Sequence, residues 1–74
     1  MTLILSGKME IICNGKTKKV RDGISLAGLI LELELNPDAV VVECDGRIAR
    51  REDYATQILN EGMAVELIRF VGGG

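Results

Sequence analysis

The amino-acid sequence predicts an α+β domain: a mixed sheet of about five strands with one main helix across one face. Three observations predict it. Asn14-Gly15 stands between Met9-Glu10-Ile11-Ile12-Cys13 and Lys16–Val20, a hairpin signature, because both central residues of a type I′ turn need positive φ. Leu26, Leu29, Ile30 and Leu33 recur at i, i+3, i+4 and i+7, the apolar stripe of a helix. Two β-rich runs, Ala39–Cys44 and Met63–Phe70, follow that helix. A hairpin, a helix and further strands, with the last returning to the middle, is the β-grasp arrangement. Its first and last strands are parallel neighbours, joined by the long crossover that parallel pairing requires.

Each element has its own warrant. On the first strand Met9, Ile11 and Cys13 share a face by period two, and Val20 joins them from the second strand. Lys16, Lys18 and Lys19 make that second strand polar, as an edge strand needs to be. Arg21-Asp22-Gly23 is a turn, and Ser25 is the N-cap of a helix over Leu26–Leu35. Glu32 and Glu34 lie off the stripe, toward solvent. Gly28 weakens this helix by roughly 1 kcal/mol relative to alanine, which marks a place where a strand or a partner approaches closely. Asn36-Pro37-Asp38 ends the helix. In Ala39–Cys44, Val40, Val42 and Cys44 face the core, with Val41 and Glu43 opposite. Asp45-Gly46 is a second tight turn, and Arg47-Ile48-Ala49 a short return strand. Glu52–Leu59 reads as a short helical turn with Tyr54 and either Ile58 or Leu59 inward. Asn60-Glu61-Gly62 turns the chain into the last strand.

Composition narrows the function. The chain has 74 residues, enough for one small domain. With 47% hydrophobic residues but one Phe, one Tyr and no Trp, its core is aliphatic. A net charge of −2 argues against nucleic-acid binding and suits partners with basic docking surfaces. There is no histidine, which removes the commonest general base and metal ligand. Cys13 and Cys44 form no CxxC and have no metal-binding spacing, so they read as partly buried free thiols. The run Leu3-Ile4-Leu5 is too short for a signal sequence or a membrane span, so the expected location is cytoplasmic. A monomer is expected, since a small aliphatic sheet with a polar edge gives no strong self-association signal.

The run Arg69-Phe70-Val71-Gly72-Gly73-Gly74 carries the chemistry. Three glycines bury no side chain and are costly to order. They form a thin, extendable tail that fits a narrow active site where the terminal carboxylate is the reacting group. Gly74 and Gly73 are the expected site, with Gly72 supporting. Against this stands a plain frayed terminus. On a regular last strand, Ile68 and Phe70 fall opposite Val65 and Leu67. With the helix on one face, Ile68, Phe70 and Val41 form an apolar patch on the other, a docking surface beside the tail. Arg69, Arg47, Arg50 and Arg51 are expected to ring that patch and meet acidic groups of a partner, and Val71 to extend it. For each arginine alone, a solvated surface position is the plain alternative.

Several segments together resemble a known family. Met9-Glu10-Ile11-Ile12-Cys13-Asn14-Gly15, Leu26-Ala27-Gly28-Leu29-Ile30, Val40-Val41-Val42-Glu43 with Asp45-Gly46-Arg47-Ile48, and above all Glu61–Gly74 resemble the thiamine-biosynthesis sulfur-carrier family (ThiS-like). Ubiquitin and the molybdopterin-synthase small subunit share that fold and a Gly-Gly tail. The resemblance starts at Met9. Residues 1–8 therefore read as a loosely packed extension, 9–70 as the β-grasp domain and 71–74 as a flexible reactive tail.

The resemblance implies a mechanism in which the chain is a substrate of enzymes and binds no cofactor itself. An adenylating partner uses MgATP to convert the Gly74 carboxylate to an acyl-adenylate. Sulfur from a cysteine persulfide replaces AMP and leaves a thiocarboxylate. Thiazole synthase then takes that sulfur into the thiazole of thiamine. The residues agree with this, since the chain carries no phosphate-binding loop and no nucleophile–base pair. Other readings are a carrier for molybdopterin or another thio-metabolite, a protein modifier joined through Gly74, and a non-covalent interaction module. Cys13 and Cys44 as relay thiols are disfavoured because both point inward.

Overall fold

The computed structural model describes residues 7–70. Most of the expected extension, residues 1–6, and the tail Val71-Gly72-Gly73-Gly74 lie outside the described residues. Strands β1 (Lys8–Cys13) and β2 (Lys16–Arg21) pair antiparallel, with Met9 opposite Val20. Asn14 (φ 51°) and Gly15 (φ 82°) supply the two left-handed positions of the predicted turn. β1 takes in Lys8, assigned above to the extension: Lys8 pairs with Arg21, and the Gly7 carbonyl accepts the Asp22 N–H at 3.0 Å.

Helix α1 (Leu26–Glu32) opens as predicted, with Ser25 Oγ accepting the Gly28 N–H at 3.0 Å. It stops short of Leu35. Leu33 is its C-cap, and Glu34 adopts φ 59°. The Glu34 N–H donates to Leu31 O at 2.9 Å and the Leu35 N–H to Ile30 O at 3.0 Å, which is a Schellman closure. Pro37 disfavours a helical Asn36, so the helix has to end before it, and the closure provides for the last carbonyls. Leu26, Leu29 and Ile30 are buried as expected, whereas Leu33, beyond the helix proper, is half-buried.

Ile24 is 1% exposed, one of the most buried side chains. Sequence reasoning passed over it because a single apolar residue between Gly23 and Ser25 has no periodicity. It also explains Gly28. A Cβ there would lie 2.9 Å from Ile24 Cγ1, so the close neighbour is the residue leading into the helix, not a strand or a partner.

Strands β3 (Val40–Cys44) and β4 (Arg47–Ile48) flank Asp45 (φ 49°) and Gly46 (φ 84°), a second hairpin of the same turn chemistry. The expected helical turn over Glu52–Leu59 is only a 3-10 turn, Arg51–Asp53. Of its two candidate anchors Leu59 is buried and Ile58 exposed, because Ile58 forms an isolated bridge with Ser25. Strand β5 (Ala64–Arg69) completes the sheet.

The described residues form a five-stranded sheet in the order β2-β1-β5-β3-β4. β1 and β5 are parallel and every other pairing is antiparallel. This is the predicted β-grasp topology. The lysine-rich β2 is one edge and the two-residue β4 the other, both poor templates for edge-to-edge pairing. Ile11, Val42, Val65 and Leu67 line the covered face beneath Leu26, Leu29 and Ile30.

Candidate functional site

Period-two alternation along β5 separates core from surface. Val65 and Leu67 point into the core, which leaves Ala64, Glu66, Ile68 and Phe70 on the helix-free face. Ile68 lies opposite Val41 on β3, and the Phe70 N–H donates to Ala39 O at 3.1 Å. Ile68 and Phe70 are each 48% exposed, a large apolar surface for a chain with a single Phe. Ile12 on β1, also exposed, faces the same way, being out of phase with the buried Ile11. The predicted patch of Ile68, Phe70 and Val41 therefore exists, and its Phe70 end runs directly into the tail. Val71, Gly72, Gly73 and Gly74 lie outside the described residues.

The arginine ring does not form. Arg69 pairs with Val40, whose side chain is buried, so Arg69 emerges on the helix side of the sheet. There it borders a hollow with Glu34, Leu35 and Asn36. Arg47 is likewise in phase with Cys44, away from the patch. Arg50 is bonded to Glu52 and Arg51 to Asp38, around the 3-10 turn. Alternation places Arg69 and Ile68 on opposite faces, so a ring containing both was excluded by the strand itself.

Sequence reasoning missed a second feature of the face. Glu43 and Glu66 stand directly opposite each other across β3 and β5, one step from the Val41–Ile68 pair. The alternation of each strand was legible, but the register that sets these two carboxylates side by side was not.

The two cysteines sit across the covered side. Cys13 and Cys44 are both free, half-buried and level with Val65, from opposite sides of β5. Two strand spacings, about 9–10 Å, exceed the ~7 Å Cα separation that a disulfide can bridge. Burial pushes both thiols up from the ordinary value of 9.0; Lys18 opposes this slightly at Cys13, and Asp45 adds to it at Cys44. Neither is an activated thiolate.

A groove of about 400 Å³ opens on the helix side, between α1 and the 3-10 turn, lined in part by Ala27, Leu31, Leu35, Pro37 and Tyr54. Among the described residues no group of three or more His, Cys, Asp or Glu is placed to hold a metal ion. No described helix is long and apolar enough to cross a membrane.

A family model, that of the ThiS family, matches residues 5–74. The chain belongs to the ThiS family. The match begins ahead of Met9 and runs through all three terminal glycines. The crystal structure of the thiamine biosynthesis protein (ThiS) from Geobacter metallireducens superposes with a TM-score of 0.78 at 30% identity, covering 89% of this chain and 100% of that one. Two curated relatives named thiazole synthase also match. That of Magnetococcus marinus is 33% identical and that of Paramagnetospirillum magneticum 29%, each over 66 residues and 89% of this chain. This ThiS family member spans 20% of the length of either. The fold and the resemblance read from the sequence both hold.

Proposed function

We propose that this protein is a sulfur carrier of thiamine biosynthesis, with the Gly74 carboxylate as its sulfur-bearing group. The observation that carries this reading is a family match that extends through Gly72-Gly73-Gly74. A carboxylate is a poor acyl donor, so an adenylating enzyme first joins it to AMP, with MgATP consumed and pyrophosphate released. The terminal sulfur of a partner's cysteine persulfide attacks the acyl carbon and AMP leaves. A thiol then reduces the resulting acyl disulfide, and the thiocarboxylate remains. Glycines leave the acyl carbon open to attack from either side. Thiazole synthase is the acceptor, a role supported by the two curated relatives of that name. Ile68, Phe70 and Val41 provide the docking surface, with Val71 leading from it to the glycines. The chain acts as substrate, and the catalytic groups belong to its partners.

Intact-mass spectrometry after incubation with the adenylating enzyme, MgATP, a persulfide donor and a thiol tests this. The expected product has one oxygen of Gly74 replaced by sulfur. Attachment of an entire second protein would instead identify a modifier, and an unchanged mass would refute the carrier reading. Removal of Gly73 and Gly74 should abolish the exchange of pyrophosphate into ATP and leave the thermal midpoint unchanged.

A further inference from the structure

The pairing of Glu43 with Glu66 works against the isolated fold. Like charges directly opposite on neighbouring strands repel. Among the described residues neither carboxylate has an ion-pair partner or accepts a hydrogen bond. The neighbours on this face give no relief. Glu43 is flanked on its other side by Ile48, and Val41 and Ile68 stand one step along. The cations of the face lie toward the other edge: Lys19 is opposite Glu10, and Lys8 is opposite Arg21. The helix-free face is thus an apolar row with an unneutralised double negative charge at its side.

We propose that Glu43 and Glu66 together receive an arginine or lysine side chain of the protein that docks on Ile68 and Phe70, and so select that partner. This rests on the docking surface assigned above and adds the chemistry by which it chooses. The occupant is a protein surface with an apolar contact for Ile68 and Phe70 and a cation placed beside it; thiazole synthase is the partner to which this is assigned. Binding exchanges a carboxylate–carboxylate repulsion for two attractions to one cation. Complementarity of this kind acts on partner choice and on the salt dependence of association.

The experiment is a titration of purified thiazole synthase from the same organism with four forms of the carrier: wild type, Ile68→Ala, Glu43→Gln/Glu66→Gln, and Glu66→Lys. The double glutamine variant should bind at least about tenfold more weakly and lose most of its salt dependence. Its thermal midpoint should equal or exceed that of the wild type, which separates lost recognition from lost folding. Glu66→Lys should bind more weakly still. Glutamine variants that match the wild type in affinity and salt dependence, while Ile68→Ala binds weakly, would overturn the charge inference and leave the docking face standing. Wild-type affinity in all four forms, or no binding by any of them, would overturn both.

Discussion

The side-chain oxygen of Asn14 accepts the backbone N–H of Leu67 at 2.8 Å, across the β1–β5 boundary. Asn14 also donates its own N–H to Val65 O at 2.9 Å. In a parallel ladder the residue that donates to one strand position accepts from the residue two further on. Asn14 has already turned into the left-handed region, so its Oδ1 takes the place of the main-chain carbonyl. Asp45 does the same on the other flank, donating its N–H to Ala64 O at 2.7 Å and accepting the Ala64 N–H on Oδ1 at 2.9 Å. Both turn residues therefore clamp the strand that leads to the reactive tail.

Asn14→Gly keeps the turn and removes the acceptor. It should cost about 1–3 kcal/mol, the penalty for leaving the part-buried Leu67 N–H unpaired. Asn14→Asp, which retains an acceptor and tolerates positive φ, should lose much less. Urea denaturation of the two variants checks the difference.

Gly28→Ala would be stabilising by about 1 kcal/mol on helix propensity alone. Its Cβ would lie 2.9 Å from Ile24 Cγ1, a buried atom near the main chain that cannot swing aside. Overpacking costs typically 1–3 kcal/mol, so a net loss is expected. A raised thermal midpoint would show that Ile24 yields more readily than its burial indicates.

Glu34→Gly should stabilise the fold by about 1 kcal/mol, because Glu34 occupies the left-handed position that glycine adopts without penalty. In a domain of this size that corresponds to a rise of roughly 4–8 °C in thermal midpoint.

Leu29→Ala truncates a side chain with 0% exposure and should cost about 2–5 kcal/mol. Phe70→Ala should leave chemical denaturation nearly unchanged and weaken binding to the adenylating enzyme or thiazole synthase. Global unfolding of the Phe70 variant would place that ring in the core instead.

Stability should fall on the alkaline side. Burial raises Cys13 and Cys44 above 9.0 and Tyr54 above 10.0, so at high pH the unfolded chain loses these protons first. The stabilisation is fully present below pH 9 and is lost as pH climbs through the folded-state values. Thermal midpoints measured from pH 8 upward should therefore decline. Cys13→Ser/Cys44→Ser should flatten the lower part of that decline. Both thiols should also react with iodoacetamide more slowly than a free cysteine.

Local chemistry made much of this protein legible in its sequence. Asn14-Gly15 and Asp45-Gly46 announce two hairpins because few residues accept their backbone angles. The Leu26, Leu29, Ile30 stripe fixes the buried helix face, and alternation along Val65–Phe70 separates core from docking surface. The segments from Met9 to Gly74 indicated the family, and the tail glycines indicated where the proposed chemistry lies. Tertiary structure decided what depends on register and on non-local neighbours. It buried Ile24, which has no periodic partner, and ended α1 at Glu32 through a closure that glycine would ordinarily make. It put Arg69 on the helix side of β5, set Glu43 against Glu66, and turned two Asx side chains into substitutes for strand carbonyls. A one-residue shift of β3 along β5 would separate the two glutamates without changing a letter of the sequence, because pairing register is fixed by the packing of the whole sheet under its helix.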